Sequence, residues 1–154
     1  MSEENNRTKE YLRQHELSVL KIRTLEKEIA ELTEGLYRSP ISDGMPHSSG
    51  KSDPTGTFGA RLADMRKEAE YLWEEQQKIR KSIERTLYRL KNAEQFAVLW
   101  AKYIELKDWP EIADEQDRTV RTVQRIHGQG LKEVSEIIRE TDNKLPLSVI
   151  AKNP

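Results

Sequence analysis

The sequence predicts an all-α protein in which long coiled-coil-like helices precede a compact C-terminal domain of helix-turn-helix form. Three observations predict it. Ala, Glu, Lys, Leu and Arg supply 70 of the 154 residues, the composition of long helices and coiled coils. Apolar residues recur at spacings of three and four through two stretches, Met1 to Glu34 and Ala60 to Trp109, that hold neither glycine nor proline. Apolar residues make up only 35% and charged residues 34% of the chain, too lean a mixture for one thick core.

The first helix is expected over residues 1–36. Its apolar positions Ile22, Leu25, Ile29, Leu32 and Leu36 follow the 3-4 spacing of a coiled-coil seam, with Glu26, Lys27, Glu28 and Glu31 outside it. Residues 37–57 read as a linker, because Gly35 to Gly59 holds five of the seven glycines and three of the six prolines. Its turn-forming combinations, such as Asp43-Gly44 and Asp53-Pro54-Thr55-Gly56, leave two readings open: a disordered connector or an ordered segment. A second long helix is expected over 58–92. Its seam runs through Leu62, Met65, Ala69, Leu72, Gln76, Ile79, Ile83, Thr86 and Leu90. Gln76 and Thr86 are polar seam positions, which cost stability and fix register or partner number. A narrow apolar stripe does not hold a lone helix together in water. The two helices therefore pack on each other, on a copy of the chain, or both.

From residue 93 the pattern widens. Phe96, Leu99, Trp100, Tyr103 and Ile104 form a broad apolar face, and Trp109, Ile112, Ala113, Val120, Val123, Ile126, Leu131, Val134, Ile137 and Ile138 are its expected partners. A compact domain is expected over 93–140, with 141–154 as an irregular tail containing Pro146. Within that domain Asp108-Trp109-Pro110-Glu111 reads as a helix start with a capping box. The helix it opens is short, about Trp109 to Gln116, and Thr119 caps a longer one. Two helices joined by a turn of three or four residues have the form of a helix-turn-helix.

Charge gives that motif a direction. Glu105 to Asp117 holds six acids and one base, whereas Arg118 to Lys132 holds four bases and no acid. With Val123 and Ile126 buried, Arg121, Arg125 and Lys132 share the opposite face. Arg118, Thr119 and Arg121 lie at a helix N-terminus, where backbone N–H groups add to phosphate attraction. Arginine and glutamine are suited to bidentate reading of guanine and adenine edges. The near-neutral total of −1 conceals this segregation.

The segments Glu111-Ile112-Ala113, Thr119-Val120-Arg121-Thr122-Val123-Gln124-Arg125-Ile126 and Gly130-Leu131 resemble the region-four helix-turn-helix of bacterial sigma factors, without gaps from about Leu99 to Val134. The whole layout resembles the RinA/ArpU-type regulators of phages and prophages of Gram-positive bacteria. That resemblance implies a DNA-binding activator of phage late genes in the cytoplasm of a bacterial host. It implies double-stranded promoter DNA as the partner and Thr119, Arg121, Thr122, Gln124 and Arg125 as the DNA-facing residues. Arg118, His127 and Lys132 join them on the charge argument, and RNA polymerase is a candidate second partner. Two positions depart from the pattern: Asp117 stands where a turn glycine is usual and Gln116 where a buried leucine or phenylalanine is usual. Aspartate tolerates a left-handed backbone better than most residues. Gly128 and Gly130 inside a helix cost roughly 1 kcal/mol each against alanine, and point to close packing or a bend.

One reading helix touches few phosphates, so a homo-oligomer, dimer or tetramer, is expected. Its seam is Ile22, Leu25, Ile29, Leu32, Leu36, Leu62, Met65, Leu72, Ile79, Ile83 and Leu90. The alternatives are a DNA-packaging adaptor of the small-terminase kind and a coiled-coil module that docks another protein. Other chemistry has little support. With no cysteine there is no disulfide, thiolate metal site or cysteine nucleophile. His15 falls on a polar helix and His47 in the linker, and nothing is placed to complete a metal site with Glu111, Asp114 and Glu115. No catalytic residue, metal or cofactor is expected. The acidic, polar N-terminus has no apolar signal-peptide core, and no apolar run approaches the ~20 residues of a membrane span.

Overall fold

The computed structural model describes residues 3–38 and 54–144, and every described element is helical. The side chain of Leu36, most of the linker (39–53) and the end of the tail (145–154) lie outside the described residues. The order is α1 (Glu3–Arg38), α2 (Pro54–Leu87), α3 (Ala93–Tyr103), α4 (Trp109–Glu115) and α5 (Val120–Lys144). The all-α expectation holds.

Helix boundaries differ from the sequence expectation for local reasons. Helix α2 opens at Pro54 rather than 58, because proline suits the first helical position, where no intrahelical N–H bond is required. It ends at Leu87 rather than 92 because Asn92 is recruited as the cap of α3, its side chain accepting from the Gln95 N–H at 3.0 Å. Helix α5 runs through the expected tail boundary to Lys144. Arg89 holds that extra turn, its guanidinium donating to the Thr141 hydroxyl at 2.7 Å and pairing with Glu140 at 2.9 Å.

The chain divides into two compact units. One is Ser18–Gln76, the C-terminal part of α1 and the N-terminal part of α2. Ile22 and Leu62 are buried there, while Leu25, Ile29, Leu32, Met65, Ala69 and Leu72 are half-buried. The other comprises Met1–Leu17 and Gln77–Pro154. It contains a core of Leu12, Ile83, Leu87, Leu99, Tyr103, Ile104, Leu131 and Val134, with Ile79, Leu90, Phe96 and Trp100 packed against it. The expected domain boundary at 93 is therefore crossed: Leu12 of α1 and Ile83 and Leu87 of α2 are fully buried in the same core as α3 and α5. The Tyr11 hydroxyl lies 2.9 Å from that of Ser82 and 3.1 Å from that of Thr86, joining the two long helices, and Glu4 forms an ion pair with Arg139 of α5.

This packing corrects part of the expected oligomerisation seam. Ile22, Leu62 and Ile83 are buried, and Ile79 and Leu90 packed, within a single chain. Burial against the chain's own helices already removes these side chains from water. His15 is also corrected: it is 2% exposed, on the inward line Thr8, Leu12, His15, Ser18, Ile22 that continues the α1 seam toward the N-terminus. Burial and nearby Arg80 push its imidazole pKa down.

Candidate nucleic-acid interface

Helices α3, α4 and α5 enclose a second core of Val98, Ala101, Ile112, Ala113, Val123 and Ile126, with Trp109 against it. Two caps define the short helix in this arrangement. Asp108 accepts from the Glu111 N–H at 2.9 Å and the Glu111 side chain accepts from the Asp108 N–H at 3.0 Å, a complete capping box. At the other end Asp117 adopts φ 50°. Its N–H bonds the Asp114 carbonyl and the N–H of Arg118 bonds that of Ala113, at 3.2 and 3.0 Å. These two bonds are a Schellman ending with aspartate in the left-handed position usually held by glycine. Gln116 is the preceding C-cap and half-buried, so it fills no deep core position. Thr119 then restarts the chain as a helix, its hydroxyl accepting from the Thr122 N–H at 3.2 Å. Four residues, 116–119, separate α4 from α5.

The restart fixes the face of α5. Val123, Ile126, His127, Gly130, Leu131 and Val134 are buried, whereas Arg121, Gln124, Arg125 and Lys132 are exposed. At 1.5 Å per residue, Arg121 to Lys132 spans roughly 16 Å. Thr119 is exposed and Thr122 half-buried, their hydroxyls 2.9 Å apart. Arg118 is exposed as well, with its guanidinium 2.8 Å from Glu94 at the start of α3. Glu94 is a group that sequence reasoning missed, since nothing local ties it to a residue 24 positions away. Val120, expected in the core, is instead 37% exposed at the first position of α5. It stands three residues before Val123, in line with the buried stripe, but at the first position of the helix, where the core of Val98, Ile112 and Val123 does not include it.

His127 departs most from the expectation. It is 6% exposed, 2.8 Å from the Tyr103 hydroxyl through Nε2, and edge-on to Trp109 at 5.0 Å between centroids. Burial, aided by the positive charges of Lys9, Lys102 and Arg13, pushes its pKa down to about 4, and burial pushes that of Tyr103 up to about 12. A neutral, buried imidazole is not a phosphate contact. Four residues beyond Val123, it belongs to the core stripe. Lys102 lies over the Trp109 ring at 4.6 Å, and covers the cluster with a cation.

Comparison with protein-family models, curated proteins and solved structures finds no match.

The acids of α4 do not gather into a metal site: among the described residues no group of three or more histidine or carboxylate side chains is placed to hold an ion. Lys107 instead bridges Glu105 and Glu115, each at 2.6 Å, and these bonds, Glu105 first, raise its pKa. No described helix is long and apolar enough to cross a membrane. What the assembled site offers is an outward basic face with no acid between residues 118 and 132, with Glu94 paired to Arg118 at its edge, on a helix whose N-terminal end is exposed beside a tight turn.

Proposed function

We propose that the protein is a sequence-specific DNA-binding regulator whose α4 and α5 act as a helix-turn-helix, with α5 reading the major groove. The observation that carries the reading is the outward grouping of Arg121, Gln124 and Arg125 on the first turns of α5, directly after the Schellman turn and the Thr119 cap. Side chains at the N-terminal end of a second helix are those that meet base edges in this motif. Arg121 and Arg125 suit guanine, and Gln124 suits adenine. Val120 adds an exposed apolar group of the kind that meets a thymine methyl. Arg118, Thr119, Thr122 and Lys132 serve the phosphates, which position rather than specify.

The resemblance to phage regulators supports late-gene promoters as the target and activation as the outcome. Association of two or more copies belongs to the same reading, because one helix reads a short half-site. Exposed Leu17, Leu20, Tyr71 and Trp73 on the long helices support such association better than the seam residues that are buried within one chain.

Selection from a random duplex pool tests the reading. The protein is expected to enrich a defined sequence, and Arg121→Ala or Arg125→Ala to lose roughly 5- to 150-fold discrimination at one position, the range of a lost bidentate contact of ~1–3 kcal/mol. No enrichment, or unchanged preference in both folded variants, would remove α5 as the reading element.

A further inference from the structure

The most basic stretch of the chain lies outside α5. Between Gln77 and Asn92 there are six bases (Lys78, Arg80, Lys81, Arg85, Arg89, Lys91) and one acid, Glu84, which pairs with Arg80 at 2.7 Å. Four of these bases, Lys78, Lys81, Arg85 and Arg89, line an open groove of about 490 Å³ between the end of α2 and Thr141 in the last turns of α5. Its remaining lining is serine and threonine; no acidic and no apolar side chain lines it among the described residues.

We infer that this groove is a second nucleic-acid contact, which takes the phosphodiester backbone of duplex DNA without reading bases. Position along the helix separates this from simple end-capping. Arg85 and Arg89 complement the carbonyl end of α2, but a macrodipole acts only within the last turn, and Lys78 and Lys81 lie earlier. From Lys78 to its end at Leu87 α2 covers roughly 14 Å, over which one DNA strand presents about four phosphates. A protein partner would need an apolar anchor in a desolvated pocket, and this groove has none. Thr141 is 20 residues from Arg121, roughly 30 Å along α5 and close to the ~34 Å of one duplex turn. The groove therefore serves a duplex segment distinct from the bases under Arg121 and Arg125.

The inference rests on the proposed DNA-binding function, and its test separates the two. Lys81→Ala/Arg85→Ala removes two exposed groove charges and leaves Arg89, which ties α2 to α5. Arg121→Ala/Arg125→Ala removes the reading face. Lys21→Ala/Arg23→Ala, on the exposed side of α1, removes the same charge elsewhere. Each is titrated with a random-sequence duplex of about 30 bp at several salt concentrations, with circular dichroism as the check on folding. The groove variant is expected to lower the slope of log affinity against log salt by about 1.8, two phosphates at 0.9 each, and the α1 variant to leave it unchanged. An unchanged slope in the groove variant, or an equal fall in the α1 variant, overturns the groove. So does loss of poly-glutamate binding with duplex binding intact, which would assign the groove to an acidic protein. If only the α5 variant is silent, the groove stands and the reading of α5 fails.

Discussion

His127 lies between Ile126 and Gly128 on the helix whose outer face carries Arg121 and Arg125, yet it faces inward to Tyr103 and Trp109. Its buried imidazole binds a proton less readily than an unfolded one, with a pKa of about 4 against the ordinary 6.5. The unfolded state therefore takes up more protons between these values, and stability falls as pH drops from 6.5 toward 4. The loss attached to this residue is up to ~3 kcal/mol at about 1.4 kcal/mol per unit. His15, also depressed, acts in the same direction. Urea unfolding of the wild type and His127→Gln at about pH 7 and about pH 4.5 reads this directly, since the variant removes one of the titrating groups. The wild type is expected to lose more stability than the variant, and parallel losses would contradict the assignment. Sequence reasoning missed this role because it weighed the neighbouring arginines above the helical period. Counting four from Val123 would have placed His127 on the core stripe, as counting three from Leu12 would have placed His15.

At the scale of elements, the two glycines of α5 have opposite roles. A Cβ on Gly130 would stand 2.9 Å from Leu99 Cδ1 and 3.4 Å from Gln95 Cβ, whereas one on Gly128 would meet nothing within 4 Å. Gly130 is thus the site of close approach between α3 and α5, and Leu99 is fully buried with little room to yield. Gly130→Ala is expected to destabilise by ~1–3 kcal/mol of overpacking, reduced by up to ~1 kcal/mol of helix propensity. Gly128→Ala should stabilise by ~0.5–1 kcal/mol. Thermal unfolding of the two variants should show shifts of opposite sign; equal shifts would remove the packing argument. Much of this architecture was legible in the sequence. The Asp108–Glu111 box and the Thr119 cap are local signals, each confined to four residues, and both occur as expected. The ends of α2 were less legible, because Pro54 can open a helix or close a linker and Asn92 can end one helix or begin another. Only the tertiary arrangement chooses between them.

For the whole molecule, the C-terminal segment does not build its core alone, although the change of pattern at residue 93 suggested that it would. Leu12, Ile83 and Leu87 are 0% exposed in the core that also holds Leu99 and Leu131, and no local pattern joins residues so far apart in sequence. The same distance hid Glu94, which holds Arg118, and segmentation of the chain by its apolar seam drew attention away from the six bases between Gln77 and Asn92. The face of α5 was legible because alternation of buried and exposed positions follows from 3.6-residue periodicity alone. The proposed function requires that this face meet duplex DNA. Its most direct test is a titration of the isotopically labelled protein with a random-sequence duplex at low salt, followed by backbone amide NMR. The largest shifts are expected on residues 118–125 and Lys132, with the acidic side of α4 nearly unmoved. Saturating binding that leaves the first turns of α5 unshifted, or no binding at all, would contradict it.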